Sequence, residues 1–104
     1  REKFRKFTFG KHFFATVQEC CKNRSDLAEK LLRAIIETID EQKLQDTHWL
    51  RTGKGGNEPQ RKRGPDAAWR RDIDNEYHLH YWESEKGSVE FANMVTHNDF
   101  SITE

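Results

Sequence analysis

Side chains suited to breaking a phosphodiester bond are concentrated in the C-terminal third of the chain. His78 and His80 alternate with apolar residues, so a strand there would place both imidazoles on one face, about 7 Å apart. His97 and Asp99 follow the next apolar stretch. An imidazole titrates near neutral pH and can act as an acid or a base. This spacing predicts two or three imidazoles and a carboxylate near one sheet surface.

Two arginines, Arg70 and Arg71, precede the histidines on the neighbouring predicted strand. A guanidinium binds phosphate through a planar fork. A base, an acid and cations together can cleave RNA without a metal, by attack of the ribose 2′-hydroxyl. We therefore expect no cofactor. Two alternatives are solvent-exposed histidines without a function, and a Zn²⁺ site built on the His-x-His pair, although no Cys or Glu completes an obvious ligand set.

The charge is balanced overall but unevenly distributed. The 104 residues contain 18 Lys and Arg against 18 Asp and Glu, yet residues 72–104 hold one base and eight acids. Residues 48–71 hold seven bases and two acids. A local excess of five positive charges can bind a polyanion such as RNA. The alternative is a solvated loop that keeps the domain soluble.

The apolar pattern predicts an α+β domain. Leu27, Leu31, Ile35 and Ile39 repeat every four residues, which is typical of an amphipathic helix. The predicted elements are a strand over 4–9, helices over 11–23 and 26–45, and strands over 67–73, 76–83 and 88–96. The order β-αα-βββ places a helical hairpin on one side of a mainly antiparallel sheet.

Residues 46–65 lack periodicity and predict a long basic loop, a feature that is often functional in a small domain. Alternation assigns faces to the last two strands. Tyr77, Leu79 and Tyr81 share one face of the middle strand, and His78, His80 and Trp82 share the other. One face of the last strand would carry Val89, Phe91, Asn93 and Val95.

The length fits one domain over residues 1–104. No run of about 18 apolar residues is present, so no membrane helix is expected. No signal peptide is recognisable at the N-terminus. Cys20 and Cys21 are adjacent, a poor geometry for a disulfide, and their scarcity favours a cytoplasmic location.

Three motifs resemble the RelE/ParE toxin superfamily, closest to its mRNA interferase branch. They are AWRRDI at 68–73, EYHLHY at 76–81 and VTHND at 95–99. The resemblance implies a RelE-like fold, a helical hairpin on a four-stranded sheet. It implies a toxin endoribonuclease that cleaves mRNA, with the ribosome and a cognate antitoxin protein as partners. The alternative is the branch of the superfamily that inhibits DNA gyrase, or another protein target, without nuclease activity.

The resemblance also implies roles for individual residues. His97 matches a C-terminal histidine that acts as general acid, and Arg71 lies on the basic strand that contacts phosphate. His78 stands where many members have an arginine that stabilises the scissile phosphate, with His80 as a further base or charge stabiliser. The bases expected to face RNA are Lys54, Arg61, Lys62, Arg63 and Arg70. Phe100, which stands near the position of a family tyrosine, could stack on a base.

Overall fold

The computed structural model describes residues 4–40, 47–53 and 57–104. It has an α+β architecture with two helices and a mostly antiparallel, open six-stranded sheet. The helices are α1 (Phe13–Cys20) and α2 (Ser25–Ile39). The strands are β1 (Phe7–Phe9), β2 (Thr47–Trp49), β3 (Lys62–Arg63), β4 (Asp66–Asp72), β5 (Tyr77–Glu83) and β6 (Val89–Thr96).

The sheet order is β1-β6-β5-β4-β2, and β3 also pairs with β4. β1 runs parallel to β6, and the other pairs are antiparallel. The predicted count of four strands is therefore wrong, because β2 and β3 lie within residues 46–65, the predicted loop. These two short segments have no alternating pattern. They become strands because the backbone of β4 provides hydrogen-bonding partners. For example, the N–H of Leu50, the residue after β2, donates to Ala68 O over 3.1 Å.

The helices pack on one side of the sheet, which we call the helix face. The apolar stripe predicted for the second helix is confirmed by the buried Leu27 and Leu31. That helix ends at Ile39, and the predicted extension through residues 41–45 lies outside the described residues. Leu79, Tyr81 and Phe91 meet the helices from the sheet and are at most 1 % exposed.

The opposite side of the sheet, which we call the tail face, is covered in part by the C-terminal segment 100–103. Trp82 and Ala92 are buried there, with Phe100 and Ile102 packed on them. The Trp82 indole N–H donates to Thr103 O over 2.9 Å. Because both sides of β5 are covered, residues 78–82 are all buried.

A β-bulge in β6 changes which residues face the helices. Tyr81 pairs with Phe91 and His80 pairs with Asn93, so Ala92 has no partner of its own on β5. The alternation restarts after this extra residue. Asn93 therefore lies on the tail face, where its Nδ2 donates to Ser101 O over 3.1 Å. The sequence predicted that one face of β6 carries Val89, Phe91, Asn93 and Val95. This prediction is wrong from Asn93 onward, because the bulge moves these later residues to the tail face.

Candidate active site

Five polar side chains gather on the tail face at the end of the sheet where β5 begins. We call them the His78 cluster: His48 from β2, Arg70 and Asp72 from β4, His78 from β5 and His97 immediately after β6. The pairing register explains the grouping. His48 lies opposite Arg70, and Asp72 lies opposite His78, so each pair shares one face of the sheet.

His78 is the centre of this cluster. Its Nε2 lies 3.2 Å from Asp72 Oδ1 and 3.5 Å from Nδ1 of His97. The rings of His78 and His97 meet edge to face with centroids 5.2 Å apart. His78 is 3 % exposed, whereas His97 is open to solvent. A buried imidazole between a carboxylate and an exposed imidazole can fix the orientation of the exposed ring.

The environment of His78 favours its neutral form. Burial is the main cause that lowers the pKa of His78, and the nearby Arg70 guanidinium lowers it further. The Asp72 carboxylate acts in the opposite direction. At neutral pH His78 is therefore uncharged rather than a second fixed cation. Its Nε2 faces both contacts, so it either donates its proton to Asp72 or, without that proton, accepts from Nδ1 of a protonated His97.

His80, which the strand pattern placed beside His78, has a different position in the structure. It is fully buried, and its Nδ1 lies 2.7 Å from Ser101 O, so Nδ1 carries the proton and donates it. Its ring centroid lies 6.5 Å from that of His78. Burial lowers the pKa of His80 to about 4. His80 therefore holds the C-terminal segment on the sheet, and no proton transfer to solvent is open to it.

This burial predicts a pH dependence of stability. The folded-state pKa of His80 is below its ordinary value of 6.5, so folding favours the neutral ring. The resulting stabilisation is complete above about pH 6.5 and declines as the pH falls toward 4, by about 1.4 kcal/mol per pH unit at most. The His80→Asn variant keeps a donor near Nδ1 but does not titrate. We expect a flatter dependence of unfolding free energy on pH for this variant, measured by urea denaturation.

The matched control is His12→Asn, because His12 is exposed on the helix side of the sheet and should leave the dependence unchanged. Equal slopes for His80→Asn and the parent chain between pH 4 and 6.5 would assign the pH dependence to other groups.

Arg71 does not join the His78 cluster, because adjacent residues of a strand point to opposite faces. It lies on the helix face and is 2 % exposed. Its Nη2 lies 3.1 Å from Glu37 Oε1 on α2, and its Nη1 donates to Thr47 Oγ1 over 3.4 Å. The expectation that Arg70 and Arg71 flank the histidines together is therefore correct for Arg70 and wrong for Arg71.

The C-terminal residues are placed differently from the predicted site. The Asp99 carboxylate accepts the Ser101 N–H over 2.8 Å. The hydrogen bonds from the Ser101 side chain and backbone lower the pKa of Asp99. Phe100 packs against the buried cluster on the tail face. Asp99 thus shapes the turn into the C-terminal segment, and Phe100 is committed to packing rather than open to a base.

The predicted RNA-facing bases are dispersed. Lys54 lies outside the described residues. Arg63 pairs with Asp66 and Glu90 at 2.9 Å each and lies over the Trp82 ring, 4.6 Å from its centroid. Arg61 Nη2 donates to Thr52 O over 3.4 Å, and Lys62 is exposed on β3. Arg70, half-buried within the His78 cluster, is the predicted base that lies beside the histidines.

Sequence reasoning missed two members of the cluster, His48 and Asp72. His48 lies in the segment that was predicted as a loop. Asp72 shares the alternation of Arg70 on β4, and this parity was the available signal. Parity alone places Asp72 on the face of Arg70. The register, which brings β2 and β5 to either side of β4, is what adds His48 and sets Asp72 opposite His78.

Within residues 4–40, 47–53 and 57–104, no group of three or more His, Cys, Asp or Glu side chains is arranged to hold a metal ion. In the same ranges no helix has the length and apolar character needed to cross a membrane. No family profile, curated protein or solved structure matches the chain.

Proposed function

We propose that the protein is a metal-independent endoribonuclease that cleaves mRNA, as a toxin with a RelE-like fold. One observation carries the proposal: an exposed imidazole, His97, contacts a buried imidazole that is itself held by a carboxylate. Arg70 lies within electrostatic reach of the same buried ring. These groups supply proton transfer and charge stabilisation at one open end of the sheet.

The exposed histidines of the cluster are the proposed acid and base. His97 protonates the leaving 5′-oxygen, and His48 takes the proton of the attacking 2′-hydroxyl. Arg70 lies between them and stabilises the charge on the phosphate. His97 follows β6, so three strand spacings, about 14 Å, separate its backbone from β2. Both side chains must therefore extend across β4 and β5 to reach one phosphate. The products are a 2′,3′-cyclic phosphate and a 5′-hydroxyl.

His78 and Asp72 act as positioning residues in this proposal. His78 is buried and contacts His97, so it orients the acid rather than the substrate. Asp72 in turn faces His78 Nε2. The order of elements, a strand and a helical hairpin followed by antiparallel strands, is in keeping with the RelE-like part of the proposal. A cognate antitoxin and the ribosome remain the proposed partners, in the cytoplasm.

The test is to induce the chain from a tightly repressed promoter and to map RNA 5′ ends. New 5′-hydroxyl ends in translated mRNA support the proposal. The purified chain should also cleave RNA in the presence of EDTA, because no step uses a metal ion. Growth arrest with a DNA-damage response and no new RNA ends would overturn the proposal in favour of gyrase inhibition. An absence of toxicity and of cleavage in vitro would overturn both.

A further inference from the structure

β1 forms one edge of the sheet and carries an exposed aromatic surface. All three of its residues, Phe7, Thr8 and Phe9, are exposed. In the part of the chain that the structure describes, β1 pairs with β6 on one side and with no strand on the other. An unpaired edge with apolar side chains is a template for another strand, and proteins commonly protect such edges.

The backbone groups of Phe7 and Phe9 are directed to the free side. Val89 N–H donates to Lys6 O and Gly10 N–H donates to Phe91 O, so the residues at even positions turn their backbone toward β6. Backbone groups of successive strand residues point in alternate directions. The amides and carbonyls of Phe7 and Phe9 are therefore the groups that a further strand would meet.

The side chains beside this edge form a continuous aromatic surface. The Phe7 and Phe9 rings lie 5.7 Å apart, and the Phe9 and Phe14 rings lie 4.9 Å apart. Phe14 is 62 % exposed and Phe7 is 43 % exposed. Buried Phe13 and Phe91 support them from below. Grouped exposed aromatic side chains, unlike scattered ones, mark an interaction surface.

The charge around the edge identifies the kind of partner. Residues 4–18 contain three bases and no acid. Arg5 is paired with Glu83, but Lys6 and Lys11 flank β1 on the exposed surface. A cavity of about 550 Å³ at the start of β1 is lined by Lys6, Lys86 and the Arg5–Glu83 ion pair, as well as the exposed Phe4 ring. Arg5 and Glu83 offset each other there, so the two lysines leave the cavity with a net positive charge that favours a carboxylate.

We propose that the β1 edge binds an extended, acidic segment of a partner protein by strand addition. Backbone hydrogen bonds to Phe7 and Phe9 supply affinity, and apolar side chains of the segment cover the aromatic surface. Its carboxylates meet Lys6, Lys11 and Lys86. A second copy of the chain is disfavoured as the occupant, because it would bring the same lysines against each other. The proposal does not depend on the RNA chemistry of the His78 cluster.

The probe is a fluorescent peptide of about nine residues in which valine and glutamate alternate, a length within the range of natural strands. Its affinity for the full chain is compared with that of a peptide carrying lysine in place of glutamate. A third peptide is N-methylated at alternate amides, which removes backbone donors. Protein variants are the Lys6→Glu/Lys11→Glu double variant and Phe14→Ser. Lys62→Glu is the matched control, because Lys62 is exposed on β3, which pairs with β4 and is distant from the β1 edge.

We expect binding of the glutamate peptide, with the affinity about tenfold lower for Lys6→Glu/Lys11→Glu and unchanged for Lys62→Glu. The N-methylated peptide should not bind, and Phe14→Ser should weaken binding. Hydrogen exchange at the Phe7 and Phe9 amides should slow in the complex. Equal binding of the lysine peptide would overturn the acidic preference, and equal binding of the N-methylated peptide would overturn strand addition. Concentration-dependent dimers abolished by Phe14→Ser would identify a second copy as the occupant and overturn the proposal.

Discussion

Replacing His97 by alanine is expected to lower the rate of RNA cleavage by about 10²- to 10⁴-fold, the usual contribution of a positioned general acid. His97 is exposed, so its removal should leave the fold intact. Its contact with His78, 3.5 Å between ring nitrogens, positions the imidazole that we propose as the proton donor to the leaving oxygen. Single-turnover cleavage of a labelled RNA by the purified protein measures the effect, and urea denaturation checks the fold.

The matched control is His12→Ala, which removes an exposed imidazole at the start of α1 and should leave the cleavage rate unchanged. Asp72→Asn tests the proposed positioning role of Asp72. Losing the carboxylate should shift the pH–rate profile and also change the maximal cleavage rate. A normal cleavage rate for His97→Ala would remove His97 from the mechanism and leave the His78 cluster as a surface feature.

Arg71→Ala is expected to lower the free energy of unfolding by about 2–3 kcal/mol, because it removes a long buried side chain and its packing. The Glu37 carboxylate that is left behind is partly exposed and stays hydrated. The guanidinium is 2 % exposed and contacts Glu37 on α2 and Thr47 on β2. Its loss leaves a void and separates three elements that it now joins. Small domains have only about 5–15 kcal/mol of stability in total, so urea denaturation will resolve this loss readily.

Arg24→Ala is the control for Arg71→Ala, because Arg24 pairs with Asp26 in solvent and should leave the urea midpoint nearly unchanged. The Arg71→Ala protein that remains folded should retain RNA cleavage, since Arg71 lies on the opposite face from His97. A loss of cleavage with unchanged stability would restore Arg71 as a phosphate ligand.

The elements with strong periodicity could be predicted from sequence. The spacing of Leu27 and Leu31 specified α2, and the alternation of Tyr77 and His78 specified β5, because burial on one side imposes a repeat. The end of the sheet at which His97 lies was also predictable, since β5 and β6 are adjacent along the chain and in the sheet. Its face was not predictable, because that depends on the bulge at Ala92.

The remaining features depend on contacts between distant segments. β2 and β3 are too short to show a period, and they form on the edge of β4. The C-terminal segment covers β5 and removes His80 and Phe100 from the predicted site, which no local pattern reports. Arg71 was assigned by resemblance to the site, whereas strand parity alone separates it from Arg70.

The bulge at Ala92 determines on which face of the sheet the later residues of β6 and His97 lie. Beyond it, odd-numbered residues of β6 turn to the tail face, and His97 N–H continues the ladder by donating to Glu76 O over 2.7 Å. If the same residues alternated without a bulge, His97 would instead lie on the side of the helices. The proposed proton donor would then be absent from the cluster although the sequence was unchanged. Deleting Ala92 would remove the extra residue and the bulge together, so Asn93 would still pair with His80 and His97 would stay on the tail face. The position of this bulge is thus as much a part of the candidate site as the histidines themselves.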